Sequence, residues 1–152
     1  MNARVEDIKK LREKTGAGIA DSRRALEEAK GDLKRAEELV KSWGIEKAAT
    51  KSDREVKAGL VDTYIHGNGR VGVILEINCE TDFVAKTDEF KNLSHEVAMQ
   101  ISAMNPKDVG ELLKQVYIRD SGKNVEQLVK ETIAKVGENI VIKRFVRFEL
   151  GS

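Results

Sequence analysis

The sequence predicts an α+β fold in which an N-terminal three-helix domain precedes a three-stranded, mainly antiparallel sheet covered by helices on one face. Apolar residues recur at helical spacing through the first 44 residues, and their period changes to two from Leu60 onward. The C-terminal segment is rich in β-branched and aromatic residues. Because a lone hairpin is only marginally stable, this segment is expected to complete the sheet.

Residues 1–44 predict three short helices around a small core. Gly16 belongs to the first turn, Gly31 ends the second helix, and Asp32 is suited to cap the third. Gly44 is expected to end the third helix in the left-handed conformation. The apolar stripes comprise Val5, Ile8, Leu11, Ile19, Leu26, Ala29, Leu33, Ala36, Leu39, Val40 and Trp43.

A connector is predicted over residues 45–59, because residues 45–57 alternate charged and small side chains and offer few large apolar groups to bury. We therefore expect residues 1–44 and residues 60–152 to have separate cores, and the first piece to fold alone.

The sheet is predicted from three segments with a period of two. Residues 60–66 and 70–78 form a hairpin around Gly67-Asn68-Gly69, and residues 140–150 form the third strand. On the second of these segments, one face carries the apolar residues Val71, Val73, Leu75 and Ile77. On the last, Val146, Phe148 and Leu150 lie on one face, and Lys143, Arg147 and Glu149 on the other.

Three further helices are predicted between the second and third strands. Their start and stop signals are Thr87, Asn105-Pro106, Asp108 with Glu111, Asn124 with Gln127, and Gly137. No internal repeat is evident in the sequence.

The charge balance argues against a dedicated nucleic-acid binder. Lys and Arg number 27 against 26 Asp and Glu, for a formal net charge of +1, whereas nucleic-acid affinity depends on a basic face. No apolar run is long enough to span a bilayer, and the first ten residues lack the apolar stretch of a signal peptide. We expect a cytoplasmic protein with no membrane association.

Two glycine patterns resemble nucleotide sites but do not fit them. Residues 67–72 match GxGxxG, yet they join two predicted strands instead of a strand and a helix. Gly122-Lys123-Asn124 lacks the earlier glycine and the hydroxyl of a phosphate loop. We expect no nucleotide cofactor.

A metal site and an active site are both weakly supported. His66, Cys79, Glu80, Asp82 and His95 show no paired ligand spacing. A hydrolase would need Glu80 and Asp82 as paired carboxylates, or Cys79 with a histidine, but no catalytic signature surrounds them. We expect neither a metal nor an enzymatic activity.

Residues 78–86 remain open to two interpretations. They follow an apolar strand, and they place Phe83 and Val84 among polar neighbours. Phe83 either tucks under the sheet as a core residue or is presented by the strand end to a partner.

Residues 78–85, Asn-Cys-Glu-Thr-Asp-Phe-Val-Ala, resemble the signature of the elongation factor Ts family. Four other segments are also similar to that family: residues 8–18, residues 64–66 with 70–73, residues 133–140, and Arg144-Phe145. Together they span nearly the whole chain.

The resemblance implies a guanine-nucleotide exchange factor for elongation factor Tu that catalyses no covalent chemistry. The N-terminal helices would be similar to the ubiquitin-associated fold and would dock on the nucleotide-binding domain of the GTPase. Thr81, Asp82, Phe83 and Val84 would intrude beside its magnesium site, with the aromatic ring in an apolar pocket. Loss of the metal and disturbance of the phosphate loop would then release GDP.

The chain also departs from this family. Only one copy of the sheet module is visible, and residues 106–124 leave no room for the long helical hairpin that many members insert. Short members act as homodimers through this module, so a homodimer is expected. The alternative function is a ubiquitin-associated-like adaptor that binds a peptide or helix without affecting nucleotide.

Overall fold

The computed structural model describes residues 3–152, and within them it contains seven helices and three strands. The predicted α+β class is confirmed. In chain order the elements are α1 Val5–Thr15, α2 Ile19–Glu28, α3 Leu33–Ala49, β1 Ala58–His66, β2 Val71–Cys79, α4 Asp82–Ala85, α5 Asp88–Met104, α6 Val109–Lys114, α7 Val125–Val136 and β3 Ile140–Glu149.

Most predicted helix ends are confirmed by their capping geometry. Asp32 accepts hydrogen bonds from the backbone N–H groups of Lys34 and Arg35, and Asn124 forms a complete capping box with Gln127. These side chains satisfy donors that the first helical turn leaves unpaired. The left-handed C-cap of α7 is Gly137, with φ 76°.

The prediction for Gly44 is wrong, because α3 continues through this residue to Ala49. A Cβ at position 44 would lie 3.1 Å from the Cβ of Ala134 on α7. Glycine here allows close contact between two helices and does not end one. The first part of the predicted connector is therefore helical, and Ala48 belongs to the core beneath the sheet.

Buried apolar residues form two clusters. One lies among α1, α2 and α3 and includes Leu11 and Leu26; the other lies between the sheet and its helices and includes Leu75 and Phe90. Independent folding of residues 1–44 stays a prediction, and an absence of protected helical amides in that peptide would contradict it.

The sheet is antiparallel throughout, with strand order β1-β2-β3. On β2 the alternate residues Val73, Leu75 and Ile77 are buried in the core, on the side where α5 packs against this strand. The predicted apolar face of this strand is therefore the core face. Within residues 3–152, no helix covers the other face of the sheet.

A bulge in β3 reverses the burial pattern along that strand. Ile77 pairs with Ile142 and Glu76 pairs with Arg144, so Lys143 has no partner on β2. Ile142 is buried before the bulge, whereas after it the Arg147 guanidinium lies on the helix side and donates to the Ser102 carbonyl at 3.1 and 3.2 Å. A bulge shifts the two-residue period by one. As a result the apolar residues Val146, Phe148 and Leu150 are exposed.

Replacing Ser22 with alanine is expected to stabilise the protein by about 1 kcal/mol. The Ser22 hydroxyl is fully buried on α2 and, among residues 3–152, is the only buried side-chain nitrogen or oxygen without a hydrogen-bond partner. Removing an unpaired hydroxyl relieves its desolvation cost, and alanine favours helix more than serine. Urea unfolding monitored by circular dichroism measures the change, and a lower midpoint for Ser22→Ala would contradict it.

Candidate partner-binding turn

The signature segment comprises the last two residues of β2 and, from Asp82 to Ala85, the single helical turn α4. Thr81 caps α4, its hydroxyl oxygen accepting from the Val84 N–H at 3.3 Å. Phe83 points outward and is 80% exposed, whereas Val84 is 4% exposed and belongs to the core. The interpretation of Phe83 as a core residue is therefore wrong. The turn presents an aromatic ring to solvent while its neighbour anchors it.

Three of the four predicted site residues are exposed, and only Val84 is buried. Asp82 and Phe83 are exposed at the tip. Val84 packs inside, and Thr81 is fixed by hydrogen bonds at its backbone and its hydroxyl. The turn thus combines an exposed tip with a fixed base, as interface anchors do.

Glu138 is a residue that the sequence analysis did not select. Its carboxylate accepts from the Glu80 N–H at 3.2 Å, the Thr81 N–H at 3.0 Å and the Thr81 hydroxyl at 2.8 Å. The partner segments are 57 and 58 residues apart in the chain, so no local pattern reveals the contact. The only signal is that Glu138 lies in residues 133–140, which resemble the family.

The structure does not bring the candidate metal ligands together. His66 lies at the far end of β1 from Cys79, since it pairs with Val71 while Cys79 pairs with Ala58. The Nδ1 of His66 lies 2.8 Å from the Tyr64 hydroxyl, and the His95 ring stands edge-on to Tyr64. Within residues 3–152 no group of three His, Cys, Asp or Glu side chains is placed to hold a metal ion.

The glycine-rich match to a dinucleotide motif is a hairpin turn, as predicted. Residues 67–70 connect β1 to β2, and Gly67, Asn68 and Gly69 all have positive φ. Such turns fit the twist of antiparallel strands. No helix begins at this turn, so it offers no helix N-terminus to a pyrophosphate.

Cys79 is expected to resist alkylation in the folded protein. Burial raises the pKa of its thiol, and the nearby Glu138 carboxylate raises it further. A raised pKa favours the neutral thiol below that pKa, and only the thiolate reacts. Iodoacetamide at neutral pH should label native protein roughly a hundredfold more slowly than protein in urea. Equal rates in the two conditions would contradict the buried position.

Comparison with known proteins decides the family. The family model described as Elongation factor TS matches residues 80–152. Elongation factor Ts of Thermoanaerobacter sp. (strain X514) is 44% identical over 192 residues, which cover 97% of this chain and 94% of that protein. Elongation factor Ts of Fervidobacterium nodosum is 39% identical over 196 residues, covering 99% of this chain and 100% of that protein.

The chain belongs to the elongation factor Ts family. Its relatives in this family are longer within the aligned span. The Thermoanaerobacter alignment has 192 positions, and 97% of 152 residues is about 147, so about 45 positions have no counterpart in this chain. Across residues 3–152, none of the helices is both long and apolar enough to cross a membrane.

Proposed function

We propose that this member of the elongation factor Ts family is a guanine-nucleotide exchange factor that binds elongation factor Tu and promotes release of its GDP. The observation that carries the proposal is the exposed ring of Phe83 on a turn whose other apolar residues, Val84 and Ala85, are buried. An exposed aromatic on a fixed scaffold is a low-entropy anchor for an apolar pocket.

The proposed mechanism displaces the metal and the phosphate contacts of the GTPase without touching the base. GDP is held through phosphate charge, a magnesium ion and backbone amides, so small movements of these groups weaken binding greatly. Phe83 would enter an apolar pocket beside the magnesium site, and Asp82 would place its carboxylate next to it. Val84, being buried, would act by holding the turn.

Exchange of this kind is reciprocal coupling and makes or breaks no covalent bond. A factor that lowers nucleotide affinity is itself bound less tightly when nucleotide is present. The chain would therefore act as a binding protein without enzymatic activity of its own. We place this exchange in the cytoplasm, with translation, and assign no cofactor, nucleic acid or membrane as a direct partner.

The N-terminal helices are proposed to dock on the nucleotide-binding domain of the GTPase. Val5 on α1 and Ile19 at the start of α2 are large apolar residues that the fold leaves exposed. Apolar side chains of this kind gain free energy when a partner covers them. This second contact would hold the factor in place while the Phe83 turn acts.

A homodimer through the open face of the sheet is also proposed. This open sheet face carries seven exposed apolar residues: Val61, Ile65, Ile74, Val141, Val146, Phe148 and Leu150. Gly72 lies on the central strand between Ile65 and Phe148. The Ile65 side chain reaches to within 3.2 Å of where a Cβ of Gly72 would stand. A contiguous apolar sheet face is a surface that a second copy can cover. Light scattering at micromolar concentration should give the dimer mass, unchanged by reductant because Cys79 is buried.

Release of labelled GDP from elongation factor Tu tests the function. Addition of this protein should accelerate release well above the spontaneous rate. A ubiquitin-associated-like adaptor would bind its target without changing that rate, so binding with no acceleration would favour the adaptor and overturn the proposed exchange activity.

A further inference from the structure

We infer that Glu138 is a positioning residue for nucleotide exchange: its carboxylate fixes the turn that presents Phe83 and ties that turn to the end of α7. This inference rests on the proposed exchange function and adds a residue outside the signature segment to it. Glu138 lies outside the exposed tip of the turn. We therefore expect it to act on the partner only through the orientation of Phe83.

Both oxygens of the Glu138 carboxylate accept hydrogen bonds from residues at the start of α4. One oxygen accepts from the backbone N–H groups of Glu80 and Thr81, and the other accepts from the Thr81 hydroxyl at 2.8 Å. Thr81 is the N-cap of α4 and its hydroxyl oxygen also accepts from Val84. Hydrogen bonds to an ionised acceptor are about twice as strong as neutral ones. The cap is thus itself held by a charged group.

The Glu80 carboxylate connects the same two segments in the opposite direction. Glu80 Oε2 accepts from the Asn139 N–H at 2.6 Å. The Asn139 side chain is buried and donates to the carbonyl of Arg54 at 2.9 Å and to that of Ser52 at 3.3 Å. Each of the neighbouring segments 80–81 and 138–139 therefore supplies a glutamate that accepts backbone N–H groups of the other. We call these contacts the carboxylate clamp.

The short length of α4 makes such a clamp necessary for a defined orientation. The helix has four residues, and one helical turn is unstable without tertiary support. Val84 and Ala85 anchor its inner side in the core. Without the carboxylate clamp, the start of the turn would keep these two apolar anchors and the weak hydrogen bond from the Cys79 thiol to the Thr81 carbonyl. The Phe83 ring would then sample several directions.

The carboxylate clamp also relates the turn to the N-terminal helices. Glu138 follows Gly137, the left-handed end of α7, and α7 packs closely on α3 at Ala134 and Gly44. Asn139, whose backbone N–H belongs to this clamp, also holds the segment that leaves α3, because its side chain donates to the carbonyls of Ser52 and Arg54. The Phe83 turn and the N-terminal helices, which are both proposed to contact the GTPase, are therefore held at a fixed separation. Fixing their separation in advance removes an ordering cost from binding and from exchange.

The variants Glu138→Ala and Glu138→Gln test this role, with Glu126→Ala as the matched control. Glu126 lies at the other end of α7, where its carboxylate pairs with Lys130 at a half-exposed site. Glu138→Ala should lower the rate of GDP release from elongation factor Tu at least about tenfold. Glu138→Gln keeps one acceptor oxygen and should recover part of that loss. The control should match the unchanged protein.

Two readouts separate positioning from general stability. Hydrogen exchange at the Thr81 amide should speed up about tenfold or more in Glu138→Ala, while amides of β2 such as that of Leu75 keep their protection. In a double-mutant cycle, Glu138→Ala should add little to the loss caused by Phe83→Ala, because both act through the same ring. Losses that multiply independently would overturn the inference.

The failures of the two proposals are distinguishable. If the unchanged protein does not accelerate GDP release, the exchange function falls, and this inference falls with it. If the unchanged protein is active and Phe83→Ala is impaired, but Glu138→Ala is as active as the control, only the positioning role is wrong. A loss in Glu138→Ala that tracks a collapse of protection throughout β2 would likewise reduce Glu138 to a stabilising residue.

Discussion

Phe83→Ala is expected to abolish most GDP-release activity while leaving the melting temperature nearly unchanged. A core phenylalanine costs about 3 to 5 kcal/mol when truncated to alanine, but Phe83 is 80% exposed in the free protein. Loss of the Phe83 ring should instead weaken the complex, because removing an interface anchor costs about 2 kcal/mol or more of binding free energy. Exchange should fall further than binding, because the N-terminal helices can still dock.

Calorimetry and labelled-GDP release, measured on the same preparation, check this expectation. Phe90→Ala supplies the contrast, because Phe90 lies seven residues further along and is fully buried; it should lose about 3 to 5 kcal/mol of stability. Asp82→Ala should act in the same direction as Phe83→Ala, but more weakly if its carboxylate mainly orients the turn. Full activity in Phe83→Ala would remove the turn from the mechanism.

Phe148→Glu is expected to dissociate the proposed homodimer without unfolding the protomer. Phe148 is 74% exposed on the open sheet face and pairs with Gly72 on the central strand. A carboxylate there costs little in a free protomer but would be desolvated without a partner when a second copy covers the face. The dimer should weaken by about 2 kcal/mol or more, which is roughly thirtyfold in Kd.

Sedimentation equilibrium measures this Kd, and circular dichroism checks that the variant is folded. Met104→Glu is the control, because Met104 is an exposed apolar residue at the end of α5, outside the sheet. It should leave the Kd unchanged. A dimer of unchanged affinity in Phe148→Glu would place the interface elsewhere, and a monomer from the unchanged sequence would remove the homodimer altogether.

The sequence by itself determined the α+β class, most of the helix caps and the apolar core face of β2, because each depends on residues close together in the chain. Asp32, Asn124 and Gly137 act on backbone groups within a turn of themselves. The signature at residues 78–85 was likewise a local pattern, and it was sufficient to indicate the family.

The tertiary structure alone decided which way Phe83 points, what Gly44 does and which face of β3 is open. Phe83 is exposed because Val84 takes the buried position at the end of the turn. Gly44 allows α7 to approach α3, and the bulge opposite Glu76 and Ile77 turns the apolar side of β3 to solvent. The role of Glu138 could not be predicted from the sequence for the same physical reason. Its three hydrogen bonds join segments more than fifty residues apart, which meet only in the folded protein.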